Sequence, residues 1–250
     1  MRILPLISRQ LSWLTQGLLP SECLLCAATL KSELLCEGCL YDLPWAQRYQ
    51  HTCQQCALAL TSAADFCGHC LHQPPAFSRS IIPFAYQYPL TPLIHGFKYH
   101  RKLTHGKLLG QLLARHIHDC AAQTNWQAPD LLIPVPMHWT RRWQRGFNQA
   151  EILGQYLARV TGVQLVTRII RCRRRSPAQK ELTRRARQKN LRKAFFISPA
   201  AQQKIIGKRI ALIDDVVTTT ATMRELSKLL IAAGAKDVQV WALARTMEKS

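Results

Sequence analysis

The chain has 250 residues, 48% of them hydrophobic, with 34 Lys and Arg against 14 Asp and Glu for a formal charge of +20. That apolar content excludes a disordered chain and suffices for one mid-sized core with a small module beside it. The charge favours polyanions such as nucleic acid, nucleotides or phosphorylated sugars without choosing among them.

Residues 1–20, MRILPLISRQLSWLTQGLLP, are rich in Leu and Ile but broken by Pro5, Arg9, Gln10 and Gln16, with no small-residue cleavage site. They read as an amphipathic helix packed on the protein rather than a signal peptide. No later window offers about eighteen uncharged apolar residues, so no membrane span is expected and the cytosol is the expected compartment.

Eight of the ten cysteines fall in four C-x-x-C pairs: CLLC (23–26), CEGC (36–39), CQQC (53–56) and CGHC (67–70). Cytosolic thiols stay reduced, which argues against a disulfide framework. A redox C-x-x-C would occur once and open a helix. Each pair is a knuckle that aims two thiolates at one point, and two knuckles close a tetrahedral structural Zn²⁺ site. Two zinc ions are therefore expected in a double zinc ribbon over residues 21–76, built from two similar halves. The inner gaps of nine and ten residues favour sequential pairing. That pairing puts Cys23, Cys26, Cys36 and Cys39 around one ion and Cys53, Cys56, Cys67 and Cys70 around the other; a crossed arrangement stays open. His69 and His72 read as surface residues, and Cys120 and Cys172 receive no role.

From Ser80 onward strands alternate with helices. SIIPFAYQY reads as a strand. KLLGQLLARHI carries Leu108, Leu109, Leu112, Leu113 and Ile117 at helical spacing, and LLIPVP (131–136) is a short buried strand stopped by prolines. QAEILGQYLARVTG places Ile152, Leu153, Tyr156, Leu157 and Val160 on one face, with Asn148 as cap and Gly162 as stop. VQLVTRII and AFFIS read as strands on either side of a basic stretch. KRIALID is a buried strand, TMRELSKLLIAAG a helix ending at Gly234, and VQVWAL the last strand. The expected fold class is α/β, a parallel sheet with helices on both faces over residues 77–250, with ligands at the carboxyl ends of its strands.

At one such end Asp214 and Asp215 follow the buried run Ile210–Ile213, and Thr218, Thr219, Thr220 and Thr222 crowd the turn into the next helix. Turn amides, the positive end of a helix and uncharged hydroxyls make a phosphate site. Two carboxylates beside a phosphate must face another part of the ligand, such as vicinal hydroxyls or Mg²⁺. A ribose 5-phosphate supplies both ends. The blander alternative is that the acids merely end a strand and a threonine merely caps a helix.

Residues 211–222 resemble the phosphoribosyl pyrophosphate signature of type I phosphoribosyltransferases. With the four C-x-x-C pairs, LIHGFKYHRK (93–102), IPVPMHWTRRWQRGFNQAEIL (133–153) and SPAQKELTRRARQKNLRKAF (176–195), the chain resembles the ComF family, its GntX-like members in particular, over residues 18–245. The resemblance implies a double zinc ribbon followed by a phosphoribosyltransferase-type domain, in proteins linked to competence, DNA uptake and use of external DNA as a nutrient. It implies that Mg²⁺-bound phosphoribosyl pyrophosphate is held by Asp214, Asp215 and residues 218–222, Ala221 included. Val135 and Pro136 would approach its pyrophosphate, with Arg141, Arg142 and Arg145 to neutralise it and Arg145 counted with the two acids as catalytic. The family pattern has glycine where this chain has Thr220, whose side chain works against positive φ and close backbone approach.

The stretch from Arg168 to Lys193 holds twelve Lys or Arg against Glu181 alone. It reads as a basic hood, 171–193, over the site, or as a solvated face. Arg184, Arg185 and Arg187, with Arg141 and Arg142, are candidate DNA contacts, and Trp139, Trp143 and Phe147 interleave with arginines as base-stacking residues would, although such spacing also suits a core. Lys98 and Tyr99 join this basic face, while His95 and His100 stay unassigned. Three functions compete: a phosphoribosyl-transferring enzyme, an inactive DNA-binding or ligand-sensing platform, and a ribbon-based docking module for the uptake machinery.

Overall fold

The computed structural model describes residues 21–123, 127–172 and 194–247. The amphipathic segment 1–20 and most of the basic hood, with Arg184, Arg185 and Arg187, lie outside the described residues.

One parallel sheet organises the chain. Its strands are β1 (Arg79–Ile81), β2 (Phe84–Ala85), β3 (Leu131–Pro134), β4 (Gln164–Leu165), β5 (Arg209–Val217) and β6 (Asp237–Arg245). The order is β1-β6-β5-β3-β4, with β2 also on β6. Register is fixed by alternation: Ile210 and Leu212 of β5 face one side, Ala211 and Ile213 the other, and all four are fully buried. A slip by one residue would exchange the two faces.

The helices are α1 (Leu90–Tyr99), α2 (Leu103–Gln123), α3 (Trp139–Arg145), α4 (Gln149–Thr161) and α5 (Ala221–Ala232). Helices α1, α2 and α4 cover the Ala211/Ile213 face through Leu93, Phe97, Leu109, Leu113, Leu153 and Leu157. Helix α5 covers the other face through Met223, Leu226 and Leu230.

The two ribbon halves repeat closely. Cys23 N–H donates to Ala28 O and Cys53 N–H to Leu58 O, at 2.9 and 2.8 Å, while Ala27 and Ala57 N–H close each knuckle on Cys23 O and Cys53 O. Both alanines adopt positive φ, 59° and 55°. The halves then part. Cys23, Leu35 and Leu43 join the core on the α1 side, whereas Cys53, Cys56, Leu58, Cys67 and Cys70 join the core on the α5 side.

Several elements differ from their sequence expectation. Pro83 lacks an N–H and splits SIIPFAYQY into β1 and β2. VQLVTRII divides as well, because Arg168 takes a positive φ of 64°. Its second part, Ile170–Cys172, pairs antiparallel with Phe195–Ile197 outside the main sheet. In α4 the buried face is Gln149, Ala150, Leu153, Gly154 and Leu157, while Val160 is 63% exposed. Helical spacing groups Val160 with Leu153 and Leu157 but does not reveal that Val160 lies beyond the packed part of the helix. Asn148 caps α4 by accepting from Ala150 N–H, and Gly162 stops it at φ 71°, as expected.

Candidate functional site

The site lies where the chain leaves the sheet in opposite directions. After β3 it passes through α4 on one face to β4; after β5 it passes through α5 on the other face to β6. The carboxyl ends of β3 and β5 therefore flank a topological switch point, where such sheets open a crevice. Strand β3 stops at Pro134 opposite Ile213, whereas β5 runs on to Val217. Asp214 and Asp215 thus sit inside the strand rather than after it, on a stretch that overhangs the end of β3.

A cleft of about 630 Å³ fills this crevice. Its lining brings together Val135, Pro136, Arg141, Arg145, Asp214, Asp215 and Thr222, which lie far apart in sequence. A recess of about 40 Å³ adjoins it at the start of α5, bounded by Asp214, Thr218, Thr220, Ala221 and Thr222. Thr219 is exposed and lines neither space. Arg142 also turns elsewhere, to an ion pair with Glu151 at 2.8 Å.

Lys98, which the sequence places only on a basic face, reaches the centre of the cleft. Its Nζ lies 3.0 Å from Asp215 Oδ1, with the two side chains 15% and 10% exposed. Among the described residues no cation forms an ion pair with Asp214; its Oδ1 accepts the Asp215 N–H at 2.9 Å. Burial, then the charge of Asp215, pushes the Asp214 carboxyl up to about 8, against the lowering effects of that N–H and of Lys98. The protein thus presents one neutralised carboxylate and one carboxyl that keeps its proton near neutral pH, with Arg141 and Arg145 on the same cleft lining. Its field favours an anion. A divalent cation or a pair of hydroxyl donors at Asp214 would favour the ionised form that burial and the Asp215 charge oppose, so the donor set fits Mg²⁺.

The RGFNQ segment builds the opposite wall. Gly146 ends α3 at φ 83°, and a Cβ there would meet the Arg101 guanidinium at 3.2 Å. Phe147 anchors on Phe97 with ring centroids 5.5 Å apart. Asn148 Nδ2 donates to Val135 O at 3.0 Å, which fixes the turn after β3. Gln149 accepts from Arg145 Nη1 at 3.3 Å and donates to Lys98 O at 3.4 Å. Arg145 also lies 5.0 Å over the Tyr99 ring. His138 Nε2 is buried at the cleft wall without a hydrogen-bond partner in the described structure. Sequence reasoning missed His138, Thr140 and Gln149; PVPMH and RGFNQ carried that signal in their density of polar side chains around prolines and glycine.

Thr220 takes φ 58° and ψ −5°, the left-handed region where glycine is usual. A β-branched residue there costs about 1–3 kcal/mol. Its hydroxyl accepts from Arg224 Nε at 3.1 Å and does not cap α5. The first N–H groups of α5 are therefore left without a side-chain cap.

On α3, Trp139 is 61% and Trp143 83% exposed. They are surface residues, whereas Phe147 joins the core. His95, unassigned from sequence, meets the Tyr86 hydroxyl at 2.9 Å.

The cysteines form two sequential quartets, 23/26/36/39 and 53/56/67/70, with all Sγ atoms of each within 4.8 Å. Cys26 and Cys36 Sγ are 3.7 Å apart, Cys56 and Cys67 Sγ 3.6 Å. Those distances approximate the edge of a tetrahedron with Zn–S of about 2.3 Å and are far beyond a disulfide. Without a cation the thiols of a quartet cannot all ionise. Burial opposes the Cys53 thiolate, yet N–H groups of Cys56 and Cys67 bring its pKa down to about 7, and burial with the charges of Cys53 and Cys67 pushes Cys56 up to about 12. Zinc removes that conflict, and both quartets fit it.

Comparison with known proteins agrees with this architecture. A model of the double zinc ribbon domain matches residues 14–71. No described helix is long and apolar enough to cross a membrane. Among solved structures, purine phosphoribosyltransferase from Pyrococcus horikoshii aligns over 56% of this chain and 72% of its own at 16% identity, with a TM-score of 0.34. DNA utilization protein YhgH of Escherichia coli is 37% identical over 78% of this chain and 84% of its own. Competence protein F of Haemophilus influenzae is 34% identical over 84% of this chain and 90% of its own. Similarity of that depth over most of the chain means that the chain belongs to the ComF family.

Proposed function

We propose that the cleft binds phosphoribosyl pyrophosphate or a related ribose phosphate with Mg²⁺, in a protein that serves DNA uptake or the use of external DNA. The observation that carries this reading is the meeting, at one switch point, of Asp214 and Asp215, the recess at the start of α5, and Arg141 and Arg145 on the opposite rim. The 5-phosphate goes to the recess, where uncapped N–H groups of α5 and the hydroxyls of Thr218 and Thr222 donate to it. The ribose hydroxyls face Asp214. The pyrophosphate lies along Val135 and Pro136, where Arg141 and Arg145 donate to it in paired fashion. Mg²⁺, held by Asp214 together with the ligand's own oxygens, would neutralise the pyrophosphate.

The DNA link rests on the relatives, which are called competence and DNA utilization proteins. A second reading, a platform for single-stranded nucleic acid, is favoured by Trp139 and Trp143 standing exposed beside Arg141 and Arg145. Aromatic faces stack bases while cations track phosphates.

Calorimetry of wild type and the Asp214→Asn/Asp215→Asn variant with phosphoribosyl pyrophosphate and Mg²⁺ tests the first reading. Binding by wild type alone is expected. Heat from neither protein would eliminate it.

A further inference from the structure

The turn at residues 218–220 is held from behind by two buried arginines, and both of them also hold the second zinc ribbon. Arg224, on α5, is 9% exposed. Its Nε donates to Thr220 Oγ1 at 3.1 Å, its Nη2 to Cys70 Sγ at 3.4 Å, and its Nη1 to Gln73 O. One rigid guanidinium thus joins the residue with positive φ to a member of the Cys53/Cys56/Cys67/Cys70 quartet and to the chain just after it. Arg245, at the end of β6, is 6% exposed. Its Nε donates to Cys56 O at 3.2 Å, and its Nη1 donates to Thr218 O and, at 3.1 Å, to Thr246 O. Among the described residues the first quartet makes no hydrogen bond to this turn; its cysteines pack on the opposite face of the sheet.

From this arrangement we infer that Arg224 and Arg245 are positioning residues that make the conformation of the 218–220 turn depend on zinc in the second ribbon, and on that ribbon alone. The physical reason is the shared fork. Arginine's planar N–H groups cannot serve Cys70 and Thr220 independently. A zinc-bound thiolate keeps its charge and its place, and so fixes Nη2; Nε then lies where it restrains Thr220 in a backbone region that threonine disfavours. When the quartet loses its ion, the thiols separate, the fork is freed, and Thr220 relaxes toward negative φ. The recess at the start of α5 closes or widens with it. The consequence for ligand binding rests on the proposed ribose phosphate site, but the coupling itself does not.

The test uses the full chain and reads the coupling without any ligand. Hydrogen exchange is followed by mass spectrometry in peptides covering residues 216–226, where Arg224 N–H is protected by Thr220 O at 2.9 Å. Zinc content is measured alongside. Cys70→Ser is expected to lose one zinc and to exchange about tenfold faster in these peptides, and Cys26→Ser to lose one zinc and exchange there as wild type does. Arg224→Lys keeps the charge but not the fork; it is expected to retain both zinc ions and still exchange about tenfold faster. Should Cys70→Ser unfold as a whole, Arg224→Lys decides. Unchanged exchange in Arg224→Lys, or equal acceleration in Cys26→Ser and Cys70→Ser, overturns the inference. In the same samples, ribose 5-phosphate is the binding probe, expected to bind Arg224→Lys about tenfold more weakly than wild type. Failure of wild type to bind ribose 5-phosphate would remove the site reading while exchange still judges the coupling.

Discussion

Asp214→Asn removes a carboxyl that the fold holds against its ordinary chemistry. Burial and the neighbouring Asp215 charge raise its pKa from 3.8 to about 8. A carboxyl raised in the folded state binds a proton there that the unfolded chain has already released. Its contribution to stability is complete below pH 3.8 and is lost as the pH climbs toward 8. Between pH 6 and pH 8, two pH units correspond to about 2.7 kcal/mol. Asp214 is only partly screened from solvent, which reduces this to about 1.4 kcal/mol. For a chain of this size that is a fall in Tm of about 3–5 °C across the window. Asparagine has the same shape, still accepts the Asp215 N–H, and does not titrate. Thermal melts followed by circular dichroism from pH 6 to 8, with zinc content measured at each pH, should show a steeper fall in wild type than in Asp214→Asn, whose melting point should exceed that of wild type at pH 8. The same substitution should weaken binding of the ribose phosphate with Mg²⁺. Parallel slopes in the two proteins, or an Asp214→Asn protein that melts lower at pH 8, would show that the carboxyl is not strained and would refute the reasoning.

Asn148→Ala removes both the cap of α4 and the donor to Val135 O, so urea melts should report a loss of about 2–4 kcal/mol. Asn148→Asp keeps the cap acceptor and should lose only the part owed to Val135. Trp139→Ala and Trp143→Ala should leave stability within about 0.5 kcal/mol of wild type, because both side chains are exposed, yet weaken binding of an oligothymidylate about tenfold if the platform reading holds. Fluorescence anisotropy showing equal affinity would remove that reading. Two zinc ions per chain are expected by metal analysis, with His69→Ala and His72→Ala retaining both, since neither histidine joins a quartet.

What could be read from sequence was what is local in the chain. A C-x-x-C knuckle carries its geometry within four residues, and short gaps between neighbouring knuckles favour the sequential pairing that the structure has, while leaving a crossed one open. The run from Ala211 to Thr222 is equally self-contained, since a strand, two acids and a turn into a helix need no distant partner to be recognised. The parallel sheet was legible from alternation. Interrupted elements were less so: Pro83 and Arg168 each cut a run whose apolar pattern continues across the break. The arginines of α3 are close in sequence, yet helical geometry sends Arg141 and Arg145 to the cleft and Arg142 to Glu151.

The roles of the acids and of Thr220 depend on partners that no spacing announces. Adjacent carboxylates look equivalent in a sequence, but Lys98, brought in on α1, pairs with Asp215, while burial and the Asp215 charge raise the pKa of Asp214. Thr220 looks like a defect in a glycine-type turn when only its neighbours are considered. In the fold its hydroxyl accepts from Arg224 Nε: glycine would adopt the same φ at lower cost but would leave that N–H without the hydroxyl. The strain at Thr220 and the link to the second ribbon therefore belong to one arrangement. A substitution of Thr220 that relieves the first also removes the Arg224 part of the second and leaves the Arg245 part in place, which is why exchange in the turn, rather than stability alone, distinguishes a tolerated imperfection from a functional connection.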